Sequence, residues 1–536
     1  MDCHGATETP EGGLDLRLVR LINKGGESGS AIDSGNPIES LLLIRIQEGE
    51  MPPGDHKVPQ DEVDLIKAWL AAGSRTLRPE PEKIGPGLGV TLEERSFWSF
   101  QPIKRPTVPD KSTFSAEQQK QIRTPIDALV LNFVIQKNAS SDKNGRDVFV
   151  FSADANRATL IKRVYFDLIG LPPAPEQMKK WLDDPSEEEA WFKKLVADVL
   201  ASPHYGERWA RHWLDVAGYA DSEGYSVADT ERLWAWKYRD WVIRAFNEDK
   251  PFDQFIIEQL AGDELAGPKK GEWTAEQIEL LTATGFLRMS VDGTGSGANN
   301  PEGRNRVMGD TIKIIGTTLM GLSLQCAQCH DHRYDPIPQT DYYAIRAIFE
   351  PALDCNAWKV PNARRVTLYT DADRQKAAEI EKEAQVLIAE KAKKQKEYMH
   401  QALDIELKKY EEPLRTQLQE AYQAAKDKRT EEQKKILKKH PSINISPGTL
   451  YQYLPKKVEE LKKIDAQVVK VRAKKPAEQF LRALVEAPNH VPKTRLFHRG
   501  DFLQPKQEVF PAGLTVTAPE DAFPVFEVND ESTLTT

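Results

Sequence analysis

Cys326-Ala327-Gln328-Cys329-His330 places two thiols three positions apart with an imidazole beside the second. Thiols so spaced on one helical turn can add to the two vinyl groups of a single haem, and the adjacent histidine then points at the iron. The spacing is that of covalent c-type haem attachment. Zinc is the main competing use of a CxxC pair, but it wants a second pair of Cys or His ligands, and the chain has no second CxxC. Thioredoxin-like redox use needs a strand–helix–strand context that the flanks lack, and the bare motif also arises by chance. His332 is available to a metal site, yet it stands too close to His330 to supply the opposite axial ligand of the same haem.

A chemical echo stands at the N-terminus. Met1-Asp2-Cys3-His4-Gly5 spells the last four positions of CxxCH and a glycine, so the start is expected to fall inside a haem motif whose first cysteine, with any export signal, is missing. Met51-Pro52-Pro53 lies in an irregular loop between two helical patterns, where a thioether can serve as second axial ligand. An ordinary buried methionine is the alternative for Met51, and the Cys3-His4 pair upstream tips the reading toward a ligand.

The elements that must hold these groups read as helices. Leu14 to Ile22 is a short apolar stretch ending in Lys24-Gly25-Gly26. Asn36 suits an N-cap, with Pro37 at the first helical position and Ile38, Leu41, Leu42 and Ile44 following. A third helix after Pro59 carries Val63, Ile66, Trp69 and Leu70 and stops at Gly73. Residues 1–80 thus form a small helical domain, and proline and charge mark 81–110 as a linker. Residues 111–352 form a larger helical domain, with helices expected over 156–169, 188–200, 206–219, 234–247 and 303–323. Strand–helix alternation is absent, which argues against a parallel sheet. Five of the 11 tryptophans fall between Trp209 and Trp241, so the packing there is expected to be aromatic. In 353–536, residues 371–474 turn rich in Lys, Glu, Gln and Ala and read as a solvated helical hairpin with imperfect coiled-coil character, Lys391 and Lys394 intruding on the apolar stripe. Its flanks, 360–369 and 495–528, alternate like strands of one small β unit holding the hairpin. The fold class expected is mainly α and multidomain, as the length of 536 residues suggests at about 100–200 residues per domain.

At this point two resemblances can be stated. Residues 1 to about 80, with Cys3-His4-Gly5, Gly12-Gly13-Leu14, Lys24-Gly25-Gly26, Ser40-Leu41-Leu42 and Met51-Pro52-Pro53, resemble the planctomycete-type cytochrome c domain. Residues 96 to 352 resemble the domain of unknown function that follows it in large planctomycete proteins. The matching segments are Phe166 to Pro173, Gly206 to Asp215, Tyr238 to Val242 and Cys326 to Pro336. The resemblance implies one or two haem c groups, held by Cys326, Cys329 and His330 and by Cys3, His4 and Met51. It also implies a place outside the cytoplasm, in the periplasm or beyond, and a further C-terminal domain. The missing first cysteine leaves the first haem a single thioether.

Other residues were weighed for chemistry. His212 shares a helix face with Arg208, Asp215 and Tyr219; it is a candidate distal ligand of the Cys326 haem, against an alternative as a hydrogen-bonded histidine inside an aromatic core. His204 is a weaker candidate of the same kind. Met308 and Met320 read as core packing rather than as ligands. Asp221, Glu223 and Asp229, or Asp253, Glu258 and Asp263, could pair as hydrolase carboxylates, although such clusters arise by chance among 82 acidic residues. Asp292 to Gly297 fits no phosphate-binding or dinucleotide pattern and reads as a flexible connection or lid.

Charge and hydropathy bound the function. With 82 acidic against 73 basic side chains the net charge is -9, which argues against nucleic acid as a partner, and no apolar run reaches the roughly 20 residues of a membrane span. The reading is an extracytoplasmic c-type cytochrome that transfers electrons to or from a redox protein or a small-molecule donor or acceptor. A haem-dependent oxidoreductase or peroxidase is the nearest alternative. A surface polysaccharide-binding or scaffold protein is the alternative from another class.

Overall fold

The computed structural model describes residues 3–4, 10–54, 57–76, 80, 90, 92–141, 151–224, 229–487 and 489–518. Met1, Asp2 and Gly5, the first part of the linker (81–89 and 91) and the end of the expected β flank (519–528) lie outside the described residues. Among the described residues the protein is mainly helical, with 19 α-helices and two two-stranded antiparallel sheets. It forms two units: Met1–Ala266 with Glu279–Arg364 and Arg482–Thr536, and Gly267–Ile278 with Arg365–Leu481.

The first unit begins with the helices Val19–Lys24, Leu41–Gln47 and Gln60–Ala71, which pack Ile22, Leu43, Val63 and Leu70 together. The helix expected from Asn36 is split: Pro37–Glu39 is a 3-10 turn, and the α-helix starts only after Ser40. Ser40 is buried and its hydroxyl accepts from the Asp33 amide, which holds the chain extended there. Gly26 lies against Gly12 so closely that a Cβ would stand 2.2 Å from the Gly12 carbonyl oxygen, so glycine at 26 is a steric requirement, whereas Gly12 and Gly13 are set apart by positive φ.

The larger part of this unit is built on tryptophan, as the sequence suggested. Trp213 meets Phe255 edge-on at 4.8 Å and Trp241 stacks on Phe255 at 5.2 Å. Their polar edges are satisfied inside the core, where Trp213 Nε1 donates to Tyr238 Oη and Gln259 Oε1 at 2.9 and 3.1 Å. Trp209 and Trp236, by contrast, are exposed; Trp209 lies off the buried stripe of the His204–Ala217 helix, which is Gly206, Ala210, Trp213, Leu214 and Ala217. A neighbouring cluster joins the Arg157–Ile169, Pro175–Leu182 and Glu188–Leu200 helices around Trp181 and Trp191. Asn156 caps the first of these through the Thr159 amide, a contact worth about 1 kcal/mol. The helix expected over 303–323 runs only from Pro301 to Ile315 and loosens into a π turn, Gly316–Met320, before the cysteine motif.

The second unit is the expected hairpin. The Asp371–Leu407 and Pro455–Arg472 helices run antiparallel, packing Ala384 with Ile464, Val468 and Val471. Lys391 does not interrupt the seam, because it snorkels to Asp465 at 2.6 Å, and Lys394 pairs with Glu390. The far end is a compact cluster of Leu403, Leu407, Leu418, Leu437 and Ile443. The single β unit expected around the hairpin is replaced by two separate ladders. Strands β1 (Val366–Thr367) and β2 (Phe480–Leu481) close the base of the second unit, whereas β3 (Arg495–Phe497) and β4 (Pro505–Glu508) form a hairpin of the first.

The β3–β4 hairpin and the chain after it are fastened to the Gln339–Leu353 helix. Phe497 packs on Tyr343 at 5.3 Å beneath the Arg346 guanidinium, Thr494 Oγ1 donates to Glu350, and the Thr515 amide and hydroxyl both donate to Asp341. At its tip, Gly500 has φ +76° and a Cβ there would stand 2.7 Å from Cys329 Sγ. Replacing Gly500 by alanine is therefore expected to cost about 1–3 kcal/mol of stability, read as a lowered denaturation midpoint. Where the chain re-enters the first unit, burial and the neighbouring Asp263 and Glu264 carboxylates push the Glu486 carboxyl up to about 7. A carboxyl whose pKa is higher folded than unfolded stabilises below its unfolded value, and that contribution is lost as pH rises through the folded one. Melting temperature should thus fall from about pH 4.5 to 7 through this group, and Glu486→Gln should flatten that slope and melt higher than the parent at pH 8.

Candidate haem site

The CxxCH segment is a 3-10 turn, Leu324–Gln328, with Cys329 at its C-cap. Leu324 and Ala327 are fully buried and anchor it, so Cys326, Cys329 and His330 are turned outward and all three are exposed. Both thiols are free. The turn is gripped from behind: Gln328 O, between the two cysteines, accepts from Tyr343 Oη at 3.1 Å and from Gln339 Nε2 at 2.9 Å. The same Gln339 amide also donates to Phe497 O at 3.1 Å.

The three residues after Cys329 have distinct duties. His330 Nδ1 lies 2.6 Å from the Asp331 carbonyl oxygen, which can only accept, so Nδ1 carries the proton and Nε2 presents its lone pair. Asp331 Oδ1 accepts from the Gln339 amide at 2.7 Å, satisfying an orphan donor at the start of the Gln339–Leu353 helix. His332 is consumed. Its Nδ1 accepts from the Tyr334 and Asp335 amides at 3.2 and 2.8 Å, so the ring proton sits on Nε2, 3.0 Å from Ser323 Oγ. The availability of His332 to a metal is corrected: both nitrogens are spent on holding the loop.

The N-terminal pair is prepared in the same way. His4 is half-buried with Nδ1 3.2 Å from the Leu14 carbonyl oxygen, again leaving Nε2 as the open lone pair, and the Leu16 amide returns to His4 O at 2.8 Å. Cys3 beside it is exposed, and Met51 is half-buried in the loop after the Leu41–Gln47 helix, its amide fixed to Arg45 O.

These donor sets fit haem c. Two outward thiols three residues apart can form thioethers, and an imidazole polarised through Nδ1 can ligate iron through Nε2. The set at Cys3 and His4 offers one thiol and one imidazole. Among the described residues no three His, Cys, Asp or Glu side chains are grouped to hold a metal ion, so the four-ligand cage that zinc wants is not assembled around Cys326 and Cys329. Cys355 is of another kind, since burial pushes its thiol up to about 11 and Arg346 lies 3.6 Å from its sulfur.

The remaining candidates fall apart by position. His212 is exposed with its ring edge on Trp209 at 5.5 Å, so the buried-core reading of this histidine is corrected; it lies one position outside the buried stripe of its helix. His204 is exposed and bonded to Glu207. Met308 is buried as expected, whereas Met320 is 42% exposed, because the π turn rotates it out of the helical register. The hydrolase carboxylates are already engaged: Glu223 is buried against Arg232 and Arg482, Asp221 accepts from Tyr219 Oη, and Glu258 is paired with Lys250. The segment from Asp292 is no lid. Asp292, Gly293 and Thr294 are buried, with Trp358 Nε1 donating to Thr294 Oγ1.

No helix among the described residues is long and apolar enough to cross a membrane. No curated protein and no solved structure is significantly similar to the chain. Two families do match: residues 1–55 fit the model of Planctomycete cytochrome C, and residues 134–353 fit that of a Protein of unknown function (DUF1549). The first match covers Cys3, His4 and Met51 and the second covers Cys326, Cys329 and His330, so the chain joins a segment that fits the Planctomycete cytochrome C model to one that fits the DUF1549 model.

Proposed function

We propose that the protein is an extracytoplasmic c-type cytochrome that carries covalent haem at a first site, Cys3, His4 and Met51, and at a second, Cys326, Cys329 and His330, and passes electrons to a redox protein or small molecule. The observation that carries this reading is the shared preparation of the two Cys-His pairs: each histidine has Nδ1 on a backbone carbonyl and Nε2 open.

Bound haem supplies a one-electron ferric–ferrous couple. The chain's own groups set the terms on which it works. Cys326 and Cys329 fix the group to a turn that Leu324 and Ala327 anchor in the core. The Asp331 carbonyl raises the basicity of His330 Nε2, and the Leu14 carbonyl does the same for His4. The Met51 thioether favours the reduced state and hence a higher potential at the first site. His332 and Gln339 keep the turn from opening.

The test is a pyridine haemochrome spectrum and a denaturing mass on the chain, exported from a host with cytochrome c maturation machinery. Two covalent haems are expected, one with a single-thioether spectrum, and Cys329→Ala should abolish two-thioether attachment at the second site. Exported, folded protein that carries no covalent haem would sink the proposal.

A further inference from the structure

Four arginines meet inside the first unit, outside the cysteine motif. Arg232, Arg364 and Arg482 have side chains only 1, 6 and 10% exposed, and Arg288 as a residue is 4% exposed. Two carboxylates face them. Glu223 takes Arg232 Nη2 at 2.9 Å on one oxygen and Arg482 Nη2 at 2.7 Å on the other, and Asp292 lies 3.4 Å from Arg364 Nη1. Asp292 is further occupied by the Thr294 amide and hydroxyl, and Glu223 also by the Asp292 amide.

The set leaves two positive charges in excess. Its donors are underused as well: among the described residues Arg232 Nε, Arg288 Nε, Arg364 Nε and Nη2, and Arg482 Nε are buried without a hydrogen-bond partner. The Arg288 side chain makes no hydrogen bond to any described residue. Burial, and then the guanidinium groups of Arg364 and Arg482, press Arg288 well below its ordinary pKa, yet a guanidinium does not give up its proton in a protein. Leaving such a charge unpaired is among the costliest arrangements an interior can hold. Trp358, stacked under Arg364 at 3.9 Å, offsets part of one charge only.

We propose that this cluster is a binding site for a tetrahedral oxyanion of two negative charges, sulfate or phosphate, held by Arg288 with Arg364 and Arg482. Such an ion matches the excess charge, and its oxygens suit guanidinium groups whose buried N–H donors lack partners. The proposal does not depend on haem.

The test is thermal unfolding of the full chain, dialysed into chloride, against increasing sodium sulfate or sodium phosphate at constant ionic strength. A saturable rise in melting temperature with at least one of the two is expected, and Arg288→Met should abolish it. In chloride alone Arg288→Met should melt no lower than the parent, because it removes an unpaired buried charge, and at saturating anion it should melt lower. Arg288→Lys, which keeps the charge but loses the fork, should raise the half-saturating concentration at least about tenfold. Sulfate and phosphate also stabilise folded proteins generally, so a rise that does not saturate, or that persists in Arg288→Met, overturns the site. If Arg288→Met does not fold, an unchanged half-saturating concentration in Arg288→Lys overturns it equally.

Discussion

The Gln339 side-chain amide, bridging Gln328 O and Phe497 O, is the contact on which the candidate haem site depends. It joins a turn whose cysteines face solvent to a helix buried along much of its length. The Gln339–Leu353 helix is held by Tyr342, Tyr343, Ile345, Phe349 and Leu353, and its first turn then serves as a rigid jig. Each hydrogen bond from it to the cysteine turn is worth only about 1 kcal/mol, but together they fix the backbone between the two cysteines. The proposed attachment of both thiols to one haem needs that fixity more than it needs stability.

The same helix sorts the cysteines by chemistry. Cys355, just past its C-terminus, is half-buried near Glu350 and Asp354, and its thiol is pushed up to about 11, where thiolate is scarce at neutral pH. Cys326 and Cys329, before its N-terminus, are turned to solvent. The difference follows from the residues between them: Leu324 and Ala327 take the inward positions of the turn, so the cysteines cannot. An imidazole with a fixed tautomer beside exposed thiols leaves three donor groups facing solvent, whereas the Cys355 thiol is half-buried.

Much of this was legible in the sequence, for local reasons. CxxCH and the N-terminal Cys-His pair are short-range patterns. The helices over 157–169 and 188–200 follow from caps and periodicity within a single turn or two. What escaped depends on tertiary context. The buried arc of the His204–Ala217 helix is set by Gly206, Ala210 and Ala217, small residues that let neighbours approach, so Trp209 and His212 end outside despite their aromatic character. Met320 is exposed because a π turn inserts between it and the helix, and no propensity marks that insertion. The role of His332 was hidden because its partners are backbone amides, which every residue supplies.

The arginine cluster was illegible for a stronger reason, which also bears on what it does. Its members come from positions 223, 232, 288, 292, 364 and 482, and no spacing relates them. Arg364 is the last residue before the chain leaves the first unit and Arg482 the first after it returns. Those two residues are drawn to opposite carboxylates, Asp292 and Glu223, while Arg482 repels Arg364 and both repel Arg288. Loop closure over more than a hundred residues carries an entropic cost that grows only slowly with length, so the difficulty lies less in bringing the two ends together than in keeping like charges side by side. A dianion among them turns that repulsion into a clasp at the neck of the insertion, one formed from charges that otherwise oppose the fold.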